Sequence, residues 1–189
     1  MSDADSDDQS EAVVLDVLHH GRSDGGSYSG SPLAYAVSTD DFTLYELSLT
    51  EGADISIDDY VQVTPEFDAG IERGHTVDYE DITDGARSEL EYVVEEIVEA
   101  NERRFVDFFN DAQPLSLRLH QLNLLPGIGD KLRDNILEER KRRGPFESFD
   151  DLEDRVSGLH NPREVVIDRI REELEHPEDV KYRLFVRRE

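Results

Sequence analysis

The 189-residue chain contains no cysteine. Disulfides, thiolate metal centres and cysteine nucleophiles are therefore excluded. Lysine is scarce as well: of 20 basic residues only three, Lys131, Lys141 and Lys181, are lysines, against 46 acids and a formal net charge of -26. No stretch approaches the roughly 18 consecutive apolar residues a membrane span requires. The acidic start, Met1 to Glu11, also lacks the basic-then-apolar pattern of a secretory signal. A cytoplasmic protein without a membrane segment is expected.

A chain this acidic would ordinarily read as disordered, or as one that avoids nucleic acid. Its apolar pattern is nevertheless that of a folded protein, and acid excess with scarce lysine is the composition of a halophilic protein that works in molar salt. At such salt the Debye length shrinks to about 3 Å, so total charge says little about partners. The distribution says more. Residues 1–111 hold 29 acids and 5 bases, whereas residues 112–189 hold 17 acids and 15 bases. The second part has kept its bases against an acidic background, as a nucleic-acid contact surface would.

No catalytic constellation is found. The six histidines (His19, His20, His75, His120, His160 and His176) lack the spacing of a metal site. There is no Walker A loop, no Gly-x-Ser-x-Gly and no His-Glu-x-x-His. Acidic pairs are so common that none stands out. A non-enzymatic protein with no cofactor and no metal is expected.

The chain divides into segments of different character. Residues 1–10 are Asp and Ser with little else and read as a disordered acidic tail. Residues 11–82 carry short β-branched and alternating runs: Ala12 to Leu18, Leu33 to Val37, Phe42 to Leu49, Tyr60 to Val63 and Thr76 to Ile82. Such strands with uneven loops suggest an OB-like β-barrel. Its aromatics, Tyr28, Tyr35, Phe42, Tyr45 and Tyr60, read as core and cross-strand packing, since few bases lie among them. In residues 83–111 the period becomes helical, with Leu90, Val93, Val94, Ile97 and Val98 on one stripe and a possible break near Asn101. A bridging helix is expected there, then an all-α domain over 112–176 and a C-terminal strand over 177–189 returning to the β-domain.

The chemistry concentrates in the second part. Pro114 suits the first position of a helix faced by Leu115, Leu119 and Leu122. It leads to LLPGIGDK, residues 124–131. Gly127 and Gly129 bracket Ile128, so the backbone can turn sharply and approach a partner with no Cβ in the way. Ile128 is expected to plug into the core, the helix that follows to aim its first N–H groups at a phosphate, and Lys131 to add a charge. Arg140, Lys141, Arg142 and Arg143 end that helix. Favourable interaction with a helix C-terminus explains some of these bases, and a backbone contact explains the run. A second turn, VSGLHNP (156–162), keeps Gly158 but has Asn161 in place of the other glycine. It reads as a packing turn whose Asn161 caps the next helix, with Arg163 as a further phosphate candidate.

LLPGIGDKLRDNI resembles the helix-hairpin-helix motif of DNA- and RNA-binding proteins. GPFESFDDLEDRV (144–156) is similar to the connector that joins two such motifs into a tandem unit. The order of segments, with ERRFVDFFNDA before LLPGIG and KYRLFVR near the end, resembles an archaeal, haloarchaeal-type family of uncharacterised proteins. That resemblance implies an α+β fold, a small OB-like β-barrel joined by a long helix to an all-α tandem helix-hairpin-helix domain. It also implies binding of structured RNA, or of DNA, in ribosome biogenesis, translation or gene expression, with ribosomal or transcription proteins as further partners. Two other readings stay open at this point: a protein-protein adaptor on such an assembly, and a DNA-binding accessory factor of repair or recombination.

Overall fold

The computed structural model describes residues 9–22 and 30–187. Most of the expected acidic tail, together with Tyr28 and the last two residues, lies outside the described residues. The chain forms two compact units, residues 1–93 with 185–189 and residues 94–184.

The first unit is built on five antiparallel strands, β1 (Ser10–Leu18), β2 (Leu33–Ser38), β3 (Leu44–Leu49), β4 (Tyr60–Thr64) and β5 (Ile71–Thr76), in the order β4-β1-β2-β3-β5. All six residues of β2 are buried, which suits the central strand of a sheet covered on both faces. Alternate positions of β1 to β4 make one core: Ala12 and Val14 with Ala34 and Ala36, Leu47 and Leu49, and Val61 and Val63. Strand β1 bulges between Val14 and Asp16. Asp16 there accepts a 2.5 Å hydrogen bond from Thr83 Oγ1, which in turn accepts from the Ala86 N–H at 3.1 Å. The bulge and the start of helix α1 (Asp84–Ala100) are thereby fixed together.

The sheet is a half-barrel, which fits the expected OB-like β-barrel only loosely. Strands β4 and β5 are its two edges and do not pair. The reason lies in β5, where only Ile71 is buried and Glu72, Arg73, His75 and Thr76 are exposed. A strand polar on both faces gains nothing from curling over a core. Residues 79–81, expected as part of a strand, form a 3-10 turn instead.

The second unit contains the end of α1, then α2 (Glu102–Asp111), α3 (Asp130–Arg143), α4 (Phe149–Arg155) and α5 (Pro162–Glu175). The bridging segment over 83–111 breaks where the sequence allowed it, giving two helices parted at Asn101, whose Nδ2 donates to the Ile97 carbonyl at 2.8 Å. The helix expected from Pro114 through Leu122 does not form. Residues 114–120 make a small hairpin closed by a Pro114 to His120 bridge, and only a 3-10 turn, Gln121–Leu124, precedes LPGIG. Ser116 Oγ accepts from the N–H groups of Arg118 and Leu119 at 3.2 and 3.1 Å, giving the backbone an alternative to helical bonding. The architecture is thus an antiparallel half-barrel with five helices, and the tandem all-α domain on a long linking helix is not what the chain builds.

Polar side chains hold the second unit's loops. The Asn110 amide brackets Phe146, accepting its N–H at 2.7 Å and donating to its carbonyl at 3.0 Å. Arg155 donates to the carbonyls of Glu139, Gly144 and Pro145 and stacks over the Phe146 ring at 4.4 Å. On α5, Arg169 and the fully buried Glu173 pair at 3.0 Å. Glu173 also accepts the Leu184 N–H at 2.6 Å, while Arg169 donates to the Tyr182 carbonyl. The buried charges are thus compensated by backbone partners. Residues 177–187 form no strand, contrary to the expected C-terminal strand; Arg187 N–H donates to the Asp41 carbonyl at 3.0 Å.

Candidate nucleic-acid interface

Leu125 to Ile128 is a tight turn in which the Ile128 N–H donates to the Leu125 carbonyl at 3.3 Å. Pro126 occupies its second position and Gly127, at φ 76°, its third, as a type II turn requires. Ile128 is buried, as its apolar character demands, and Gly129 serves as N-cap of α3. Gly129 differs from Gly127. Its φ is -84°, open to any residue, and a Cβ placed on either glycine would meet no atom within 4 Å. The glycine surface therefore faces open space, and no internal packing explains Gly129.

No side chain caps α3. By contrast α4 is capped by Ser148, which accepts the Asp151 N–H at 3.0 Å. Asp130, in the first turn of α3, favours the helix dipole but opposes an incoming anion. Its carboxylate is turned to Arg133 at 3.0 Å, and Arg133 also donates to Asn123 Oδ1 at 3.0 Å. Asn123 Nδ2 reaches the Ile128 carbonyl and Asp130 Oδ1, both at 3.4 Å. Arg133 is thus the partner that neutralises Asp130.

The second turn has the same form. The Leu159 N–H donates to the Val156 carbonyl at 3.3 Å, Gly158 sits third at φ 91°, and Leu159 is buried. Helix α5 then begins one residue later than α3 does relative to its turn. The expected Asn161 cap is not made: Asn161 adopts a left-handed conformation at φ 46° with no side-chain capping bond, and Pro162 removes an N–H from the first turn.

Gly129, Asp130, Lys131, Leu132 and Asn135 of the first turn and helix line a groove of about 450 Å³ with Ser157 and Gly158 of the second. Asn135 Nδ2 donates to the Ser157 carbonyl at 3.3 Å. Gly158, read from sequence as packing, is thus part of the same surface as Lys131. The signal for this was present in the shared pattern of apolar residue, any residue, Gly, apolar residue at 125–128 and 156–159. The parts of Asn123 and Asn135 carried no such signal, because an amide on a helical segment reads as surface.

The remaining candidates separate. Arg140 Nη1 donates to the carbonyls of Phe109 and Ala112, at 3.0 and 3.1 Å, and so closes the end of α2. Arg143 lies 3.6 Å from Glu139, and Arg163 lies 3.8 Å from Glu99. Lys131, Lys141 and Arg142 are exposed, and their side chains have no partner among the described residues. Behind the turn, buried His120 accepts the Leu122 N–H on Nδ1 at 3.1 Å. Burial pushes its pKa down, and Arg140 and Arg133 push it further in the same direction. The one grouping of possible metal ligands among the described residues, His176 with Glu178 and Asp179, is wholly exposed.

Fold and site together define an α+β protein that combines an antiparallel half-barrel with a glycine-lined groove at the head of an uncapped helix. Residues 8–187 match the family described as a protein of unknown function, DUF655, and the chain belongs to that family. It is 37% identical over 177 residues to the uncharacterized protein MJ0038 of Methanocaldococcus jannaschii, covering 93% of this chain and 79% of that one. The crystal structure of Af1531 from Archaeoglobus fulgidus, a member of the same family, is similar with a TM-score of 0.79 at 40% identity, covering 94% of this chain and 99% of that one. Among the described residues no helix is long and apolar enough to cross a membrane.

Proposed function

We propose that the second unit binds the phosphate backbone of a nucleic acid, RNA first among the candidates, and performs no catalysis. Gly129 carries the reading. Its backbone conformation and its surroundings would both accept a side chain, yet none is there, at the head of a helix whose first N–H groups no side chain caps. A phosphate can approach such a position closely enough to accept backbone hydrogen bonds.

Charge supports the reading. Four basic side chains have no partner among the described residues, Arg118, Lys131, Lys141 and Arg142, and all fall in residues 118–142 of a chain with net charge -26. In an acidic protein, cations left without acids serve something outside it. Salt decides which contact dominates. Each phosphate neutralised by a side chain costs roughly 0.7 to 0.9 decades of affinity per decade of salt. Fixed backbone donors and shape therefore have to supply most of the grip in molar salt, which assigns the main role to the groove and a secondary one to the cations.

The test is fluorescence anisotropy of the protein with a structured RNA and with duplex DNA in molar KCl, beside Gly129→Val. The variant is expected to melt as the parent does and to lose about tenfold or more in affinity, the worth of a charge-assisted hydrogen bond or two. Should the parent bind neither ligand, the reading falls, and a protein-protein adaptor takes its place.

A further inference from the structure

We infer that the hairpin of residues 114–120 is an apolar wedge that packs against an unstacked base beside the gripped phosphate, so that the ligand is a nucleic acid with an unpaired or bulged nucleotide. This rests on the reading above and specifies its ligand.

Leu117 at the hairpin tip is fully exposed, at 105%, and Leu115 is 37% exposed. Leucines this open are usually side chains of mobile segments, but the hairpin is internally bonded. The N–H groups of Leu115 and Ser116 both donate to the Leu119 carbonyl, at 2.7 and 3.0 Å, and Ser116 Oγ holds the N–H groups of Arg118 and Leu119. The tip is therefore presented, not frayed.

The hairpin is also fastened to the candidate grip. His120, at its base, donates its N–H to Asn123 Oδ1 at 3.2 Å. Asn123 is the side chain that bonds Ile128, Asp130 and Arg133 at the head of α3. A short chain of hydrogen bonds thus connects the apolar tip to the glycine turn, and a ligand seated on one is held in register with the other.

The tip's chemistry selects the occupant. One or two leucines among Gln113, Ser116 and Arg118 are too small an apolar area for a stable protein interface, which buries far more surface. They match the face of a single base, and Arg118, whose side chain has no partner among the described residues, fits the adjoining phosphate. A fully paired helix offers no base face without unstacking, whereas a bulge or loop offers one at little cost.

The chain has no tryptophan, so Leu117→Trp places a lone reporter at the tip. The experiment compares an RNA stem carrying a bulge with its fully paired counterpart in molar KCl, using the parent, Leu117→Ala, Leu117→Trp and Gly129→Val. The parent is expected to prefer the bulged stem by about tenfold, the order expected when most of one leucine side chain is buried against a base. Leu117→Ala should erase that preference without weakening binding to the paired stem. Leu117→Trp should keep it, with emission quenched by the bulged stem only. If the parent binds and Gly129→Val does not, while Leu117→Ala keeps the preference or the tryptophan emission stays unchanged, the wedge is overturned and the grip stands. If the parent binds neither stem, both are overturned.

Discussion

Arg140 and its neighbours show how four consecutive bases divide into different tasks. Arg140 is bonded to two carbonyls at the end of α2, whereas Lys141 and Arg142 are exposed and without partners among the described residues. Arg140→Gln should therefore lower stability by about 2 kcal/mol, the worth of charge-assisted hydrogen bonds, in a urea titration. A double variant, Lys141→Gln with Arg142→Gln, should leave stability unchanged and make the salt dependence of RNA affinity shallower by about 1.5 decades per decade. A loss of stability in the double variant without any change in salt dependence would refute that division. His120 gives a pH prediction. Its imidazole is held neutral by burial and by the nearby charges of Arg140 and Arg133, so the folded pKa lies below the unfolded value of about 6.5. The contribution is complete above that pH. As pH falls below it, the unfolded chain takes up a proton that the folded chain refuses, and stability declines. His120→Asn, which can still accept the Leu122 N–H, should flatten the fall in melting temperature between pH 7.5 and 5.5.

At the scale of elements, the two glycine turns make the sharpest comparison. Gly127 at φ 76° requires glycine, and Gly127→Ala should cost about 1 kcal/mol. Gly129 at φ -84° does not, and Gly129→Ala should stay within about 0.5 kcal/mol of the parent, with the poorer N-cap offset by a less flexible unfolded chain. Equal costs in calorimetry would mean that Gly129 has a structural task. The strands β1 to β4 were legible because β-branched and alternating runs mark them directly. The segment from Pro114 to Leu122 was not, since proline and three spaced leucines fit a helix, while the Ser116 side chain and the His120 bridge that prevent it are tertiary and local polar effects with no periodicity. The Asn161 cap failed for a similar reason: the extra residue before Pro162 carries Asn161 into a left-handed conformation.

For the whole molecule, the sequence distinguishes a β-rich first part from a helical second part by period alone, but closure of the sheet depends on whether its edges meet. That is decided by the mostly exposed β5, a property spread over six residues and invisible to any motif. Part of the candidate site was legible: the glycine spacing marks the turn of Gly127, Ile128 and Gly129 that leads into α3 and Lys131, while Gly158, Asn135 and Asn123 join them only through packing. The central claim is that the head of α3 accepts a phosphate through its backbone. The most direct test is to titrate ¹⁵N-labelled protein in molar KCl with a short RNA and follow each amide. The amides of Gly129, Asp130 and Lys131 are expected to shift on binding, with Gly158 responding as part of the groove and the first turn of α5, at Arg163 and Glu164, remaining still. Binding that moves the α5 amides, or the half-barrel strands, and leaves Gly129 to Lys131 unchanged would contradict that claim.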